Sequence, residues 1–598
     1  DELEKDLFAT RIMVANHMHA GDGNCHVNIP VNSNDPEMIR LAEEAAGKVF
    51  EKVLQQGGSI SGEHGIGITK IGYLERQRIE ELAEYKARID PKNILNPDKL
   101  TRESLELFPY TFSFNELLQD LGKSSLPHKD KLIDLLQNIQ NCSRCGKCKQ
   151  VCPMYCPEQG FLHHPRNKII ALGALLEGYA YTRQKGLKAD KALLETLQDL
   201  VERCTACGKC TEVCPVSIQT PQQMFNMRSF LEENKDGGRH PLKTRLLQHL
   251  FAEQGRLASA AKTASLSQKI QNRVSRLIPK GLRDRADHPL LAGPGPDLSF
   301  TSLEETLHLE RNNLFLTSAD DPETAETVLY FPGCGASLFY RDIGLAAIYL
   351  LLVTGNNVIL PERHACCGYP LLAAGCMQTY AQNEDKVKDS LNNLLDKARK
   401  YSLSVTSILT SCGTCREALG GLHLGEGYED FLQRRDLLQH VMERSRLRLR
   451  PQLSELGDPE RLLYHPACHS EWQGLPPHKS GAVYARELSN LLGTAVEVTP
   501  GCCGESGLGA MTSPHIYSTL RRRKTRQLES DLAGYPNHLP VLVGCPSCKV
   551  GLSRIAAAEN WTREVQHTLE FLARLQLGEK WRSRVVSKIV NCGVEETA

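Results

Sequence analysis

Two short cysteine runs constrain this chain more than any other feature of its sequence. The first is Cys142-Ser-Arg-Cys145-Gly-Lys-Cys148-Lys-Gln-Val-Cys152-Pro153, and the second is Cys204-Thr-Ala-Cys207-Gly-Lys-Cys210-Thr-Glu-Val-Cys214-Pro215. Both have the form C-x2-C-x2-C-x3-C-P. Three closely spaced thiolates of this kind can cover one face of a metal cluster, and the fourth is placed to reach a second cluster.

This form is the bacterial ferredoxin spacing, in which the cysteine before the proline binds the other cluster. We therefore expect one [4Fe–4S] cubane on Cys142, Cys145, Cys148 and Cys214, and another on Cys204, Cys207, Cys210 and Cys152. A pair of zinc ribbons is the alternative. Zinc sites, however, pair one C-x2-C with a distant second one and need no third cysteine two residues on. The runs predict an electron-transfer protein.

Length and composition set broader limits. The 598 residues are enough for roughly three to five domains. The 71 basic and 71 acidic residues cancel, so nothing indicates a nucleic-acid partner. Of the 22 cysteines, all but Cys25, Cys156, Cys376 and Cys592 fall into cluster-type motifs, which predicts a reducing, cytoplasmic compartment. The longest apolar stretch, Gly344–Val353, is too short to span a bilayer.

Residues 1 to about 110 are predicted to form a compact α/β piece. The expected elements are strands at Ile12–His19 and Val27–Val31 around a two-residue Asp22-Gly23 turn, a helix from Asp35-Pro36 to Gly57-Gly58, a short strand at Ser59–Ser61 and a charged helix from Leu74 to Arg88. The chain begins at Asp1, without a methionine or signal peptide, which reads as a cut inside a longer polypeptide.

The predicted hairpin carries a candidate metal site. With the turn at Asp22-Gly23, His19 would lie opposite His26, at a Cβ separation of about 4.5–5.5 Å. Glu63 could complete a site of two histidines and one carboxylate, and His64 beside it could act as a base. From spacing alone, a polar hairpin face with ordinary satisfied histidines remains the alternative. The next opposed pair on this face would be His17 and Asn28.

Three motifs in this region resemble the C-terminal half of FAD-linked D-2-hydroxyacid dehydrogenases. They are His19-Ala-Gly-Asp-Gly-Asn-Cys-His26-Val-Asn28, Gly58-Ser-Ile-Ser-Gly-Glu63-His64-Gly65-Ile-Gly67 and Asp90-Pro-Lys-Asn-Ile-Leu-Asn96-Pro97. The resemblance implies that His19, His26 and Glu63 bind a divalent metal, zinc or manganese. It also implies that His64 takes the substrate's hydroxyl proton and that Asn28 contacts substrate. The family's FAD-binding domain precedes this half, so we expect FAD to be bound mostly outside this chain.

The C-terminal part of the chain contains an internal duplication. One copy contains Cys334, Cys366-Cys367-Gly368 and Cys412-Gly-Thr-Cys415, and the other contains Cys468, Cys502-Cys503-Gly504 and Cys545-Pro-Ser-Cys548. This region resembles the cysteine-rich CCG domain of heterodisulfide reductases and of the iron–sulfur subunits of glycolate oxidase. That resemblance implies one or two non-cubane [4Fe–4S] clusters; buried unmetallated cysteines, or zinc, are the alternative.

We therefore predict a multidomain chain of α/β and α class. The expected parts are a partial α+β substrate domain of the FAD-linked oxidase type at residues 1–110, a helical dicluster ferredoxin domain at 115–235, a helical segment and linker at 236–325, and a duplicated α/β CCG domain at 326–450 and 451–598. A helical insert, Asn167–Leu200, separates the ferredoxin motifs. Among the remaining residues, Cys156 is expected to be a packing residue, Cys592 a free thiol and His163-His164 a surface turn.

The resemblances imply a D-lactate or D-2-hydroxyglutarate dehydrogenase, part of a longer parent protein. It would pass electrons from FAD through the clusters to a quinone or another carrier, in the cytoplasm or peripherally on the inner face of the membrane. Two alternatives stay open. One is an electron-transfer module without its own catalysis, and the other is thiol–disulfide chemistry at the CCG cysteines. The sequence does not determine the oligomeric state.

Overall fold

The computed structural model describes residues 12–31, 35–105, 114–126, 128–155, 163–188, 190–233, 241–253, 255–279, 282, 294–308, 315–316, 325–361, 363–425, 427–428, 432–445, 453–505 and 514–591. Cys156 and Cys592, for which a packing role and a free thiol were predicted, lie outside these residues. The chain divides into two compact units, Asp1–Gln137 and Asn138–Ala598, and each is described by itself.

The smaller unit contains a β-hairpin and a set of helices. Its elements are β1 (Ala15–His19), β2 (Asn24–Asn28), α1 (Pro36–Gln55), α2 (Gly67–Lys70), α3 (Arg76–Ile89), α4 (Phe114–Lys123) and α5 (Lys129–Ile139), with 3-10 turns at Ile71–Tyr73 and Arg102–Leu105. The last helix continues into the first residues of the larger unit.

Helix α1 begins and ends where the sequence predicts. The Asp35 side chain accepts a hydrogen bond of 3.0 Å from the Met38 amide and caps the helix, with Pro36 in its first turn. Gly57, at φ 73°, follows its end. The predicted strand at Ser59–Ser61 is wrong. The Ser59 hydroxyl donates to the Ser61 carbonyl at 3.0 Å, so side-chain hydrogen bonds to the backbone replace strand pairing there.

The larger unit starts with a helical region. Its elements are a 3-10 turn at Lys147–Lys149, α6 (Pro165–Gln184), α7 (Lys191–Glu202), α8 (Lys209–Glu212), α9 (Thr220–Glu233), α10 (Pro241–Ala252), α11 (Arg256–Leu277) and α12 (Leu303–Leu307). The helical insert is present as α6 and α7, and α7 packs against both α6 and α9. Leucines at helical spacing are buried in these helices, among them Leu172, Leu176, Leu197 and Leu200.

Part of the predicted linker is held firmly by α11. The Asn272 side-chain amide donates to the Gly295 carbonyl at 3.0 Å and accepts from the Gly295 amide at 2.9 Å. The Ser265 hydroxyl donates to the Leu298 carbonyl at 2.9 Å. Side-chain hydrogen bonds therefore tie residues 294–298 to the helix, although their glycine and prolines are typical of a turn-rich linker.

Two similar α/β repeats follow. The first contains β3 (Phe315–Leu316), β4 (Glu326–Phe331), α13 (Arg341–Val353), β5 (Asn356–Ile359), α14 (Tyr369–Ala374), α15 (Met377–Lys400), β6 (Val405–Thr410), α16 (Gly413–Gly420), β7 (Gln433–Asp436) and α17 (Leu437–Ser445). The second contains β8 (Arg461–His465), α18 (Pro477–Leu492), β9 (Ala495–Val498), α19 (Pro514–Asp531), β10 (Val541–Val543), α20 (Pro546–Ala558), β11 (Val565–His567), α21 (Thr568–Leu577) and α22 (Trp581–Asn591).

The two sheets have the same topology, which confirms the duplicated α/β architecture. The strand order is β5-β4-β6-β7 in the first repeat and β9-β8-β10-β11 in the second, with all of these pairs parallel. Strand β3 adds an antiparallel edge to the first sheet. Strand-helix alternation with parallel pairing is the pattern expected of α/β domains.

The repeats share one continuous hydrophobic core. Helix α13 of the first repeat packs against α21 and α22 of the second, while α17 of the first packs against α18 of the second. The apolar Gly344–Val353 stretch belongs to α13, in which every residue from Ile343 to Leu352 is buried. In the described part of the chain, no helix is both long and apolar enough to cross a membrane.

Candidate functional site

The three predicted metal ligands of the smaller unit converge. One nitrogen of His19, one nitrogen of His26 and one carboxylate oxygen of Glu63 all lie within 4.8 Å of one another. The His26 Nε2 atom is 3.3 Å from Glu63 Oε2. Zinc–nitrogen distances of about 2.0–2.1 Å would place neighbouring ligands of a tetrahedral site roughly 3.4 Å apart. The donor set and its spacing therefore fit a divalent cation after small side-chain movements.

The hairpin reaches this geometry through a register that differs from the prediction. The connection is a four-residue turn, Ala20–Gly23, and not a two-residue turn at Asp22-Gly23. As a result His17, and not His19, pairs directly with His26. The predicted and observed registers differ by two residues, and side chains alternate with a period of two. His19 and His26 therefore stay on the same face, with ring centroids 5.3 Å apart.

Two neighbouring residues support this site: Asn24, which the sequence reasoning missed, and His17, which it placed on this face opposite Asn28. Asn24 donates a 2.6 Å hydrogen bond to Glu63 Oε2 and orients that carboxylate. The His17 ring stacks on His26, with centroids 4.7 Å apart and an interplanar angle of 6°. His17 also forms a 3.2 Å hydrogen bond with the Asn28 side chain. The correct register would have revealed both contacts, since Asn24 pairs with His19 in the hairpin.

His64 lies beside the ligands but is much more exposed. Its Nε2 atom is 3.7 Å from Glu63 Oε1, and its ring centroid is 5.1 Å from that of His26. The His64 side chain is 67% exposed, against 16% for His26. An imidazole that is anchored on one side and open on the other can exchange a proton with a small molecule bound at the metal.

In the larger unit, one ferredoxin motif encloses a cavity together with the last cysteine of the other. Cys204, Cys207 and Cys210 line a small cavity with Cys152 of the first run. These are the four ligands that the crossed ferredoxin pattern predicts for one cubane. Burial raises the pKa of Cys207 to about 12, so a thiolate is unfavourable there without a cation. Iron would supply that positive charge.

The two cysteine loops have the same unusual backbone. Arg144 and Gly146 in the first loop, and Ala206 and Gly208 in the second, all have φ between 57° and 78°. These residues occupy equivalent places in the two motifs. Left-handed backbone at a non-glycine residue such as Arg144 or Ala206 costs energy and is maintained where a loop must curl around a ligand. In the first loop, a hydrogen bond from the Lys147 backbone lowers the pKa of Cys145.

Crossed ligation predicts which variants should behave alike. Cys152→Ser should damage the same cubane as Cys207→Ser, and Cys214→Ser should damage the same cubane as Cys145→Ser. Each variant is expected to lose one set of reduced-cluster signals, measured by electron paramagnetic resonance at several temperatures together with iron content. If Cys152→Ser instead matched Cys145→Ser, each run would bind its own cluster and the crossed pattern would be wrong.

The ten cysteines of the two repeats form one chain of neighbouring thiols. The hydrogen-bonded contacts run from Cys334 to Cys366, Cys367, Cys415 and Cys412 in the first repeat, then to Cys545, Cys548, Cys503, Cys502 and Cys468 in the second. The cysteines that follow β4, β6, β8 and β10 meet because the carboxyl ends of parallel strands share one edge of a sheet. Five thiols per repeat exceed the four ligands of a structural zinc ion, so the set fits a polynuclear cluster better.

The ferredoxin cavity lies directly beside the second repeat. The neighbouring Cys468 raises the pKa of Cys207, and the half-buried Lys209 ammonium lies next to both cysteines. Met154, two residues after Cys152, packs with Cys502 in one small apolar cluster. Both contacts join a predicted cubane ligand, or its neighbour, to a cysteine of the second repeat.

Arg228 of α9 connects the residues around this cavity to the first repeat by hydrogen bonds. Its guanidinium donates to the carbonyls of Val201 and Cys204 and to the carbonyl of Ala373 in α14. The side chain is only 4% exposed. Sequence reasoning missed this residue because its partners are all backbone carbonyls distant in the chain. The predicted surface turn at His163-His164 is also wrong, since His164 is 1% exposed and caps α6 through its Nδ1.

A histidine that was not predicted as a ligand lies beside two of the predicted cysteine ligands. An imidazole nitrogen of His465, at the end of β8, lies within 4.8 Å of the sulfurs of Cys503 and Cys548. All three residues are buried. Burial holds the pKa of His465 well below its usual range, so its ring is neutral.

Comparison with known families matches these regions one by one. Residues 2–100 match the C-terminal domain of FAD linked oxidases, residues 138–218 match the 4Fe-4S dicluster domain, and residues 328–420 and 462–553 each match the cysteine-rich CCG domain. The chain carries these three domain types in this order. The ferredoxin match ends just after Cys214, and the two CCG matches include all ten cysteines of the thiol chain.

Different relatives match different regions of this chain. The chain is 39% identical to glycolate oxidase subunit GlcD of Bacillus subtilis over 93 residues, which are 15% of this chain and 20% of that protein. It is 43% identical to D-2-hydroxyglutarate dehydrogenase of Stutzerimonas stutzeri over 88 residues, 14% of this chain and 19% of that protein. It is 24% identical to the probable glycolate oxidase iron-sulfur subunit, also from Bacillus subtilis, over 387 residues, 61% of this chain and 78% of that protein. The chain thus spans about a fifth of GlcD.

Proposed function

We propose that this chain is the substrate-metal and electron-transfer portion of a flavin- and iron–sulfur-dependent D-2-hydroxyacid dehydrogenase acting on D-lactate or D-2-hydroxyglutarate. The observation that carries the proposal is the convergence of His19, His26 and Glu63 within 4.8 Å, in a region similar to the C-terminal domain of FAD linked oxidases. Glycolate oxidase and D-2-hydroxyglutarate dehydrogenase, which share that region, point to a small hydroxyacid as substrate.

Each residue of the hairpin site has a role in this proposal. His19, His26 and Glu63 would hold zinc or manganese, and the metal would polarise the hydroxyl group of the substrate. His64, exposed beside them, takes the hydroxyl proton, since an imidazole nitrogen within reach of the substrate can act as a general base. Asn28, on the same strand as His26, contacts the substrate, and Asn24 keeps the Glu63 carboxylate in place.

Electron transfer belongs to the larger unit. FAD, bound by a domain on the same polypeptide or by a separate subunit, supplies a two-electron acceptor. Within the larger unit, the contacts of Cys207 with Cys468 and of Met154 with Cys502 support transfer from the ferredoxin cubanes to the second repeat. The thiol chain through Cys412 and Cys545 then leads to the first repeat. A quinone or another carrier is the proposed final acceptor.

Anaerobic reduction by substrate tests the proposal. The chain, together with its FAD-binding partner domain, is mixed with D-lactate, glycolate, D-2-hydroxyglutarate or the L-enantiomers, and iron–sulfur absorbance is followed. We expect one D-hydroxyacid or a small set of them to bleach the clusters at catalytic rates, and the L-enantiomers not to. If no hydroxyacid bleached clusters that dithionite reduces readily, the substrate class would be wrong.

An electron-transfer subunit without its own catalysis is the second candidate. The similarity over 61% of this chain to an iron-sulfur subunit of glycolate oxidase favours it. In that case a separate dehydrogenase would provide the substrate site, and chelation of the hairpin metal would leave cluster reduction by substrate unchanged. The first proposal expects chelation to abolish it.

A further inference from the structure

The two repeats differ at one buried position next to their cysteines. His465 is the last residue of β8, and Phe331 is the last residue of β4, the equivalent strand of the first repeat. Both side chains are fully buried, at 0% exposure. They are 134 positions apart, the same offset that separates Cys334 from Cys468. The second repeat therefore has a polar ring where the first has an apolar one of similar size.

The hydrogen bonding of His465 determines which nitrogen is free. Its Nδ1 atom lies 3.0 Å from the carbonyl oxygen of Thr499. A carbonyl only accepts, so Nδ1 must carry the ring proton and Nε2 must carry a lone pair. The structure gives Nε2 no hydrogen-bond partner among the described residues, although the atom is buried. A buried acceptor of this kind is costly unless a donor or a metal ion satisfies its lone pair.

The Thr499 carbonyl is itself held in place. Lys524 donates to this oxygen at 3.2 Å, to the Thr499 hydroxyl at 2.7 Å and to the Pro500 carbonyl at 2.6 Å. The Thr499 amide donates to the Tyr464 carbonyl at 2.8 Å. A histidine that binds metal through one nitrogen commonly donates its other N–H to a backbone carbonyl, which fixes the ring. His465 has this arrangement in full.

The His465 ring lies close to two cysteines of the CCG motif. A His465 ring nitrogen and the sulfurs of Cys503 and Cys548 all lie within 4.8 Å of one another. Because Nδ1 is committed to Thr499, Nε2 is the nitrogen available to a metal. Neutral imidazole and thiolate together are a good donor set for iron and for zinc. The first repeat has no nitrogen donor at this place, since Phe331 occupies it.

We infer that His465 is a ligand, through Nε2, of the metal centre in the second repeat, at a place where the first repeat has Phe331 and offers no donor. This inference rests on the proposed function only in taking that centre to be an iron–sulfur cluster. The two centres then differ in chemistry, because the second has a neutral nitrogen donor. The ligands of an iron–sulfur cluster help to set its reduction potential, so we expect the two centres to have different reduction potentials. They should titrate as two separate species.

The decisive measurement uses the unmodified protein. Pulsed electron paramagnetic resonance on protein with ¹⁵N-labelled histidine should show a strongly coupled histidine nitrogen in the paramagnetic state of the second-repeat centre. The cubanes have only cysteine ligands and contribute no such signal. Zinc is loaded at the hairpin site, because it is diamagnetic and keeps His19 and His26 silent. Absence of any coupled histidine nitrogen would overturn the inference without the need for a variant.

A substitution then shows which histidine provides the coupled nitrogen. His465→Phe introduces the residue that the first repeat tolerates at the equivalent place, and it should abolish the coupling and shift the potential of one centre only. His440→Phe is the matched control, because His440 is also buried but its Nε2 already bonds Asn356 Oδ1 at 2.9 Å. The control should retain the coupling. Coupling that survives in His465→Phe would assign the nitrogen elsewhere and refute the inference.

The inference and the iron–sulfur proposal can fail separately. Iron and sulfide analysis decides whether the repeats hold clusters at all. If the second repeat held zinc instead, X-ray absorption at the zinc edge should still detect one nitrogen ligand in wild type and none in His465→Phe. A site with sulfur ligands only would refute the role of His465 whichever metal is present.

Discussion

Replacing His64 by alanine is expected to slow reduction of FAD by a D-2-hydroxyacid about 10²- to 10⁴-fold, the usual contribution of a positioned general base. The reason is geometric. His64 is the exposed imidazole next to the predicted ligands, with its Nε2 3.7 Å from Glu63. Substrate binding through the metal should persist, so KM should change far less than kcat. Stopped-flow absorbance of the flavin, in protein that includes the FAD-binding domain, measures both.

Two ligand variants separate the base from the metal site. His19→Ala and His26→Ala should lose bound metal, measured by elemental analysis after dialysis, and should raise KM as well as lower kcat. His64→Ala should retain the metal at wild-type stoichiometry. Near-normal flavin reduction in His64→Ala would exclude it as the base. Loss of metal in that variant would mean that His64 is a ligand and not a proton acceptor.

Changing the adjacent cysteines of either CCG repeat to serine should leave flavin reduction intact and block transfer to the final acceptor. The double variants are Cys366→Ser with Cys367→Ser, and Cys502→Ser with Cys503→Ser. Because all four thiols belong to one chain of contacts, removal of either pair should break the path. We expect turnover with a quinone to be lost while the rapid phase of flavin reduction is unchanged.

Cys376→Ser is the matched control, since Cys376 is buried near Cys366 but has no place in either motif. It should retain turnover and cluster content. Unchanged quinone reduction in both double variants would place the exit of electrons at the ferredoxin cubanes. Stoichiometric zinc without sulfide in the repeats would give the same result for a different reason, and metal analysis separates the two.

Much of the candidate site was predictable because its residues are close in sequence or repeat at fixed spacing. The helix after Asp35 follows from local rules of capping, and α1 has the predicted cap. The convergence of His19, His26 and Glu63 was predicted although the register of the hairpin was wrong. That error did not change the predicted face of any hairpin residue, because a two-residue difference in register leaves every side chain on its own face.

The sequence by itself determined the chemistry: the types of donor residue, their spacing, and the fact that the cysteine-rich α/β unit occurs twice. Only the tertiary structure decided which donors meet across large separations. Arg228 with Ala373, Cys207 with Cys468, Cys412 with Cys545, and His465 with Cys503 and Cys548 are pairs of this kind. The physical reason is that spacing constrains neighbours along a strand or loop, whereas contacts between distant parts of the chain depend on how its helices and sheets pack, as α13 and α21 do in the shared core.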